Sequence, residues 1–340
     1  MTTPSITVLM SVYNGERYLG QAIESILCQS YDDFEFLIVN DGSTDGTRDV
    51  IHSYDDPRIR LIENEANLGL ARSLNHGIES ARGAYIARQD ADDISEPDRL
   101  TRQMAFLRRH PDIALLGSWY TVIDPHGRIL AHKTLPCADI EIRWVLLFVS
   151  SFVHTAVIMP RYILSTVGLY DDSLAYAMDY DLWQRIARYH PVANLNAYLV
   201  RYRIHKNAMT TIHGHLLHEA DNLSLNGLAS SLRWEELTLA ERTQRFRNMA
   251  TLLFSNPPVL PLRALPRTLW SIWRLHRAFC RKHDLPPAEI AKQRRKLLGN
   301  VAGQLTLLLI RRAPALYHHT QARHVPTSAA DVDPGSHDSG

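Results

Sequence analysis

The first hundred residues alternate between two hydrophobic rhythms. Ile6-Thr7-Val8-Leu9-Met10 is a short apolar run rich in β-formers, and an amphipathic stretch follows from Glu16 to Gln29, with Tyr18, Ala22, Ile26 and Leu27 at helical spacing. Phe34 to Val39 is a second apolar run, closed by Asn40-Asp41-Gly42-Ser43, and Thr44-Asp45-Gly46-Thr47 reads as a turn leading into a helix. Ile59 to Ile62 is a third run, Gly69 to Ala81 a helix, and Ala84-Tyr85-Ile86-Ala87 a fourth run that ends in Arg88-Gln89-Asp90. Strand and helix in turn at this spacing predict βαβ units, hence an α/β fold with a mostly parallel sheet flanked by helices. In such sheets ligands bind beyond the carboxyl ends of the strands. Ser11-Val12-Tyr13-Asn14, Asp41-Gly42-Ser43, Asn64 to Gly69 and Asp90-Ala91-Asp92-Asp93 close the four strands, so they are expected along one edge, lining one cleft.

The rhythm changes after residue 232. Arg263, Arg267, Arg274, Arg277 and Arg281, with Trp270 between them, recur at steps of four and three. Leu265, Leu269, Ile272, His276 and Phe279 recur at the same steps on the opposite face. This is a basic amphipathic helix, and Lys292 to Lys296 and Leu305 to Ile310 add charge and apolar area beyond it. Two readings stand: contact of residues 262–312 with an anionic membrane surface, or a helical subdomain with its arginines outward. Nucleic acid is not expected, because no recognition fold accompanies the charge.

Charge sharpens the division. The net charge of +1 conceals −8 over residues 1–232, +12 over 233–323 and −3 over 324–340. The 340 residues, 45% hydrophobic and 21% charged, have the composition of an ordinary globular chain and exclude collagen, coiled coil and wholesale disorder. No apolar run approaches the length of a transmembrane helix. Three cysteines, Cys28, Cys137 and Cys280, form neither a disulfide framework nor a zinc site. With no basic and apolar leader after Met1, the expected location is cytoplasmic, with peripheral attachment to the inner face of the membrane if the basic helix binds it. The expected organisation is a first domain over 1–210, in halves 1–110 and 111–210, a basic helical region over 211–323, and a disordered tail over 324–340.

Asp90, Asp92 and Asp93 place three carboxylates within four residues, a costly arrangement without a cation. Hard oxygen ligands suit Mg²⁺ or Mn²⁺; the alternative is an acidic turn that caps the helix following Pro97. No glycine-rich phosphate loop follows the first strand.

Together these segments resemble glycosyltransferase family 2, whose fold is GT-A. The resemblance rests on Thr7 to Asn14, Ile38 to Thr47, Asn67-Leu68-Gly69-Leu70, Gln89 to Asp93 continuing into Pro97-Asp98-Arg99-Leu100, Gly168-Leu169-Tyr170-Asp171, and Met178-Asp179-Tyr180-Asp181-Leu182-Trp183. They occur in the family's order across residues 4–207.

The resemblance implies an inverting, metal-dependent transferase. Its donor would be a nucleotide-diphosphate sugar, a UDP-sugar by preference, and its acceptor a glycan or lipid-linked hydroxyl in cell-surface polysaccharide synthesis. Ser11, Tyr13 and Asp41 match the nucleotide-holding positions, with Tyr13 suited to stack on a base. Arg72 and Asn75, on the helix after the Asn67-Leu68-Gly69 turn, are expected to reach the donor. Asp92 matches the principal metal ligand, Asp90 stands beside it at the donor and metal, and His205 matches a position that reaches the metal or the diphosphate.

Asp179 matches the base that removes the acceptor's proton. The family's Glu-Asp pair is here Met178-Asp179, which removes a like charge and leaves the Asp179 pKa less raised. The alternative for Asp179 is a cap on a helix over 180–189, and Asp181 is the rival base. His154 is expected on the acceptor side, bonded to a sugar hydroxyl or packed. The Gln-x-x-Arg-Trp motif and membrane helices of processive members are absent from the sequence, so one sugar per encounter is expected. Two other readings compete. Nucleotidyl transfer to a sugar phosphate would need a basic, glycine-rich loop over Ser11 to Arg17, and a catalytically degenerate binding or scaffold subunit has only Met178 in its favour.

Overall fold

The computed structural model describes residues 3–206, 208, 223–225, 228, 232, 234, 236–255, 258 and 260–312. The chain forms two compact units, Met1–Thr243 and Gln244–Gly340. The expected break at 210 falls where description is sparse, and the expected tail over 324–340 lies outside the described residues.

The first unit is built on one twisted sheet. Its strands are β1 (Ile6–Val12), β2 (Phe34–Asn40), β3 (Ile59–Glu63), β4 (Tyr85–Arg88), β5 (Ile94–Ser95), β6 (Leu115–Ile123), β7 (Ile129–Lys133), β8 (Ile158–Pro160) and β9 (Val192–Arg203), in the order β3-β2-β1-β4-β8-β6-β9-β5, with β7 paired to β6. From β3 to β4 every pairing is parallel, as the βαβ rhythm predicts. Beyond β4 the sheet is mixed. β8 runs antiparallel to β4 and β6, β5 to β9 and β7 to β6, whereas β6 and β9 pair in parallel. Of these strands only β6 and β7 follow one another as a direct hairpin, and the run of neighbouring parallel strands that the βαβ rhythm predicts ends with β4.

The helices are α1 (Glu16–Leu27), α2 (Thr47–His52), α3 (Leu70–Ser80), α4 (Arg99–Arg109), α5 (Asp139–Val145), α6 (Arg161–Val167) and α7 (Met178–Tyr189). All seven residues of both β1 and β2 are buried, which is why these strands read as unbroken apolar runs. Alternate residues feed opposite faces. Ile6, Val8, Met10, Phe36 and Ile38 pack with Leu19, Ile23 and Ile26 of α1 and Leu100 and Met104 of α4. Leu9, Leu37 and Val39 pack on the other face with Leu74 and Ile78 of α3 and Trp183 and Ile186 of α7. The parallel register brings Val12 level with Asn40, and Asn40 level with Glu63, so the strand-closing segments share one edge.

The second unit continues α8 (Leu239–Phe254) and adds α9 (Leu265–Lys282) and α10 (Pro287–Arg312). Phe246, Met249, Leu252 and Leu253 are buried at helical spacing, and Asn300 Nδ2 of α10 donates to the Leu253 carbonyl at 3.0 Å. On α9 the buried face is Thr268, Ser271, Ile272, Leu275, His276, Phe279 and Cys280. The amphipathic reading therefore holds, and its apolar face is consumed by packing. Among the described residues no helix is long and apolar enough to cross a membrane.

Candidate active site

Asp41 closes β2 and is 2% exposed. Its Oδ1 accepts from Asn64 Nδ2 (2.9 Å) and the Leu68 amide (2.8 Å), and its Oδ2 accepts from the Gly69 amide (3.0 Å). The carboxylate thus ties down the 64–69 loop. Gly42 makes this closure sterically feasible: its φ is +67°, and a Cβ there would meet the Ala66 carbonyl carbon at 2.5 Å. Ser11 is buried at the end of β1, and Tyr13 stands 49% exposed two residues beyond it. The loop that carries Tyr13 is held from below. The amides of Asn14, Gly15 and Glu16 donate to Ser43 Oγ (3.0 Å), Thr47 Oγ1 (2.9 Å) and Asp45 Oδ2 (3.2 Å).

Arg72 and Asn75, the two helix residues expected to reach the donor, each have a partner within the chain. Arg72 Nε donates to Asp172 at 2.7 Å in an exposed pair. Asn75 clamps the backbone of Tyr170, its Nδ2 donating to the carbonyl at 2.9 Å and its Oδ1 accepting from the amide at 3.0 Å. Helical spacing gives the side on which a residue lies but not the partner it finds there.

The acidic turn after β4 separates its three carboxylates. Asp90 Oδ1 accepts from Arg88 Nη2, and its amide donates to Thr155 Oγ1 at 3.1 Å. Asp92 Oδ2 lies 2.9 Å from His205 Nε2. Asp93 is 1% exposed, and its Oδ1 accepts from the Arg203 amide at 2.8 Å. Burial, then the charges of Asp92 and Asp90, push the Asp93 carboxyl well above its ordinary range. Repulsion is thereby relieved by an arginine and by burial of one carboxyl, not only by a cation as the spacing alone implied. Asp90, Asp92 and His205 do not converge: among the described residues no three metal-ligating side chains form one group, and Asp90 faces Arg88 instead. The two that do meet are Asp92 and His205. The turn also does not cap the next helix, which starts at Arg99 with no side-chain cap.

Arg88 is the residue the sequence reading passed over. It is fully buried, yet it donates to the carbonyls of Leu9 (2.9 Å) and Gln89, to Asp90, and through Nε to His154 Nε2 at 3.2 Å. The same His154 nitrogen lies 2.9 Å from the Tyr170 hydroxyl. Because Arg88 Nε–H can only donate, Nε2 is the acceptor and the ring is neutral. Burial first, then Arg88, pushes the His154 pKa down to about 3. The expected acceptor-side histidine is therefore tied into a buried relay of Tyr170, His154, Arg88 and Asp90. A second arginine, Arg99, is equally buried and donates to Gln89, Ser95, Gln103 and the Arg88 carbonyl; burial lowers its pKa to about 9, so it stays charged at neutral pH. The signal was present: an arginine ending the apolar run Tyr85-Ile86-Ala87 must find partners when buried.

His205 is positioned by aromatic contact. Its ring centroid lies 4.9 Å from that of Tyr18, and the Arg203 guanidinium lies 4.6 Å from the same Tyr18 ring centroid. Arg203 Nη2 also donates to Gln21 Oε1 at 2.7 Å, and its Nε to the Asp92 carbonyl at 2.8 Å.

Asp179 sits in the first turn of α7, which begins at Met178 rather than at 180 and has no side-chain cap. Asp179 Oδ1 accepts from the Tyr180 amide at 2.7 Å. Its pKa is raised to about 6, chiefly by burial, with the Asp90 charge adding to the rise. Losing the neighbouring glutamate therefore does not leave this carboxyl ordinary, because desolvation is the main cause. Met178 is 4% exposed and packs in the apolar cluster with Tyr170 and Trp183. Asp181 is held by Arg185 at 2.7 Å, and Arg185 also donates to the carbonyls of Val167, Gly168 and Leu169. Asp181 is thereby engaged in holding Arg185 against the 167–169 segment.

The glycosyl transferase family 2 model matches residues 7–168, the span that holds β1 to α6. An uncharacterized glycosyltransferase of Haemophilus influenzae is 31% identical over 223 residues, 62% of this chain and 69% of that protein. One of Methanocaldococcus jannaschii is 38% identical over 210 residues, 60% of this chain and 72% of that protein. Among solved structures, S. aureus TarS 1–349 in complex with UDP-GlcNAc is similar at a TM-score of 0.57 and 18% identity, over 91% of this chain and 92% of that one. The mannosyltransferase PcManGT of Pyrobaculum calidifontis, in complex with GDP-Man and Mn²⁺, is similar at 0.51 and 16% identity, over 95% and 86%. These structures share the GT-A type fold with this protein. By its sequence relatives, its fold and the order of its strand-end segments, the chain belongs to glycosyltransferase family 2.

Proposed function

We propose that this protein transfers a sugar from a nucleotide-diphosphate sugar to a hydroxyl of a glycan or lipid-linked acceptor, with inversion at the anomeric carbon, in the synthesis of a surface polysaccharide or glycolipid. The observation that carries the reading is Asp179, a carboxyl raised to about 6 in the same electrostatic neighbourhood as Asp90 of the strand-end edge. A base poised near neutral pH, close to the donor edge, is what attack by an acceptor hydroxyl needs. Displacement by one oxygen from the face opposite the leaving group inverts the centre.

Ser11 and Tyr13 hold the nucleoside, with Tyr13 stacked on the base. Asp41 acts by fixing the 64–69 loop, and offers its remaining acceptor capacity to the ring or ribose. A UDP-sugar is the first donor to try, since TarS, which shares the fold, was solved with UDP-GlcNAc and UDP.

Asp92 and His205 fit a divalent cation. Mg²⁺ is commonly held by one or two carboxylates together with substrate phosphates, so a protein cage of three ligands is not required. When bound, Mg²⁺ or Mn²⁺ offsets the charge that builds on the departing nucleoside diphosphate. Arg88 holds Asp90 toward the same edge, and Thr155 fixes the Asp90 backbone.

Nucleotidyl transfer is disfavoured by the loop after β1, whose amides at 14, 15 and 16 are already donated to side chains of the 43–47 segment. A triphosphate would find no backbone cradle there.

The pH profile tests the base. Asp179 acts deprotonated, and its pKa is raised to about 6. The rate, kcat/KM, is therefore expected to be flat above neutral pH and to fall about tenfold per unit below pH ~6. A profile flat down to pH ~4.5, near the ordinary carboxylate range, would remove Asp179 from this role.

A further inference from the structure

The basic helix α9 has two faces, and the structure reverses which one is available. Its aliphatic and aromatic stripe, Ile272, Leu275, His276 and Phe279, is buried. The opposite face carries Arg267, Trp270, Arg274, Arg277 and Arg281 at steps of three and four, with Trp273 beside them and Arg263 in the turn just before the helix. Trp270 and Trp273 are each 51% exposed. Both lie under guanidinium groups: Arg274 stands 4.6 Å from the Trp270 ring centroid, and Arg277 stands 4.7 Å from that of Trp273. No Asp or Glu occurs between Glu241 and Asp284, a span that holds nine Lys and Arg.

We propose that this outward Trp and Arg face is a docking surface for an anionic phospholipid bilayer. Two exposed indoles on a soluble surface need a partner that is apolar at one depth and polar at the next, and the headgroup region is such a layer. The arginines match it in charge, and their aliphatic stems and stacked planes lie along the indoles, so both groups reach the same depth. Binding of this kind is shallow and electrostatic, with no apolar helix face inserted. It does not depend on which sugar the first unit transfers.

The test is partition of the full chain onto vesicles of phosphatidylcholine with about one third phosphatidylglycerol, against phosphatidylcholine alone. The wild type is expected to bind the anionic vesicles only, to release as salt is raised to about 0.5 M, and to show tryptophan quenching by lipids brominated near the headgroup. The triple variant Arg267→Gln, Arg274→Gln, Arg277→Gln is expected to lose about a hundredfold in partition at low salt. The pair Trp270→Ser, Trp273→Ser is expected to keep the preference for anionic lipid but to weaken binding and lose the quenching. All five positions are exposed or half-exposed, so the melting temperature serves as the control for folding. Equal binding of both vesicle types, unchanged binding by both variants, or retention by duplex DNA in place of vesicles would each overturn the proposal.

Discussion

The Asp179→Asn variant is expected to lose about 10²–10⁴-fold in turnover, the range that a positioned general base contributes. The amide keeps the size of the carboxyl and can still accept from the Tyr180 amide, a bond of 2.7 Å, so α7 keeps its first turn. What it cannot do is take a proton. Nucleotide binding, proposed at the strand-end edge around Ser11, Tyr13 and Asp41, is expected to stay within a factor of about two. The acid limb near pH ~6 should be missing from the residual activity, since the group that titrates there is gone. Asp181→Asn is the comparison. Asp181 is engaged by Arg185, which braces the 167–169 carbonyls, so this change is expected to lower stability more than it lowers the rate constant of the folded enzyme. If Asp181→Asn abolished turnover while Asp179→Asn did not, the two assignments would be exchanged.

Arg88→Met is expected to destabilise the first unit by about 3–5 kcal/mol, the cost of removing one partner from a buried ion pair. Arg88 is fully buried, and the side chain of Asp90 is 25% exposed. Losing the guanidinium strands the Asp90 carboxylate beside Asp92 and Asp93 and leaves the Leu9 and Gln89 carbonyls without that donor. His154 would also lose a neighbouring positive charge that helps to hold its pKa near 3. Urea unfolding read by fluorescence measures the loss, and a change below about 1 kcal/mol would mean that the relay is less important than its geometry implies. Arg88→Lys keeps the charge but not the planar fork, and is expected to recover only part of the stability.

Much of the donor half was legible because its signals are local. Strands buried on both faces appear as apolar runs, the βαβ rhythm fixes parallel order, and that order forces Ser11, Asp41, Asn64 and Asp90 onto one edge. Asp92 and His205 illustrate a second kind of signal. They lie 113 positions apart and meet at 2.9 Å, a pairing that came from the family resemblance and not from spacing. What stayed hidden was partner choice. Asn75 and Arg72 lie on the helix expected for them, yet one holds the Tyr170 backbone and the other pairs with Asp172. Those partners come from a loop segment 95 to 100 residues away, whose irregular path no periodicity encodes. The same is true of His154, whose neutral state comes from burial first and then from an arginine of β4. On α9 the periodicity located both faces, but tertiary packing decided which one was left outside.

The most direct test of the central claim is thermal stability of the full chain against UDP, GDP, CMP and dTDP, each with and without Mn²⁺. A nucleotide at a hundred times its dissociation constant stabilises by about 2.7 kcal/mol. A shift is expected with one nucleotide, dependent on Mn²⁺, and lost in Asp92→Asn while the variant's melting temperature without ligand stays near that of the wild type. A folded wild-type protein that shifts with none of the four nucleotides, or whose shift persists unchanged in Asp92→Asn and without metal, would contradict the donor site assigned here.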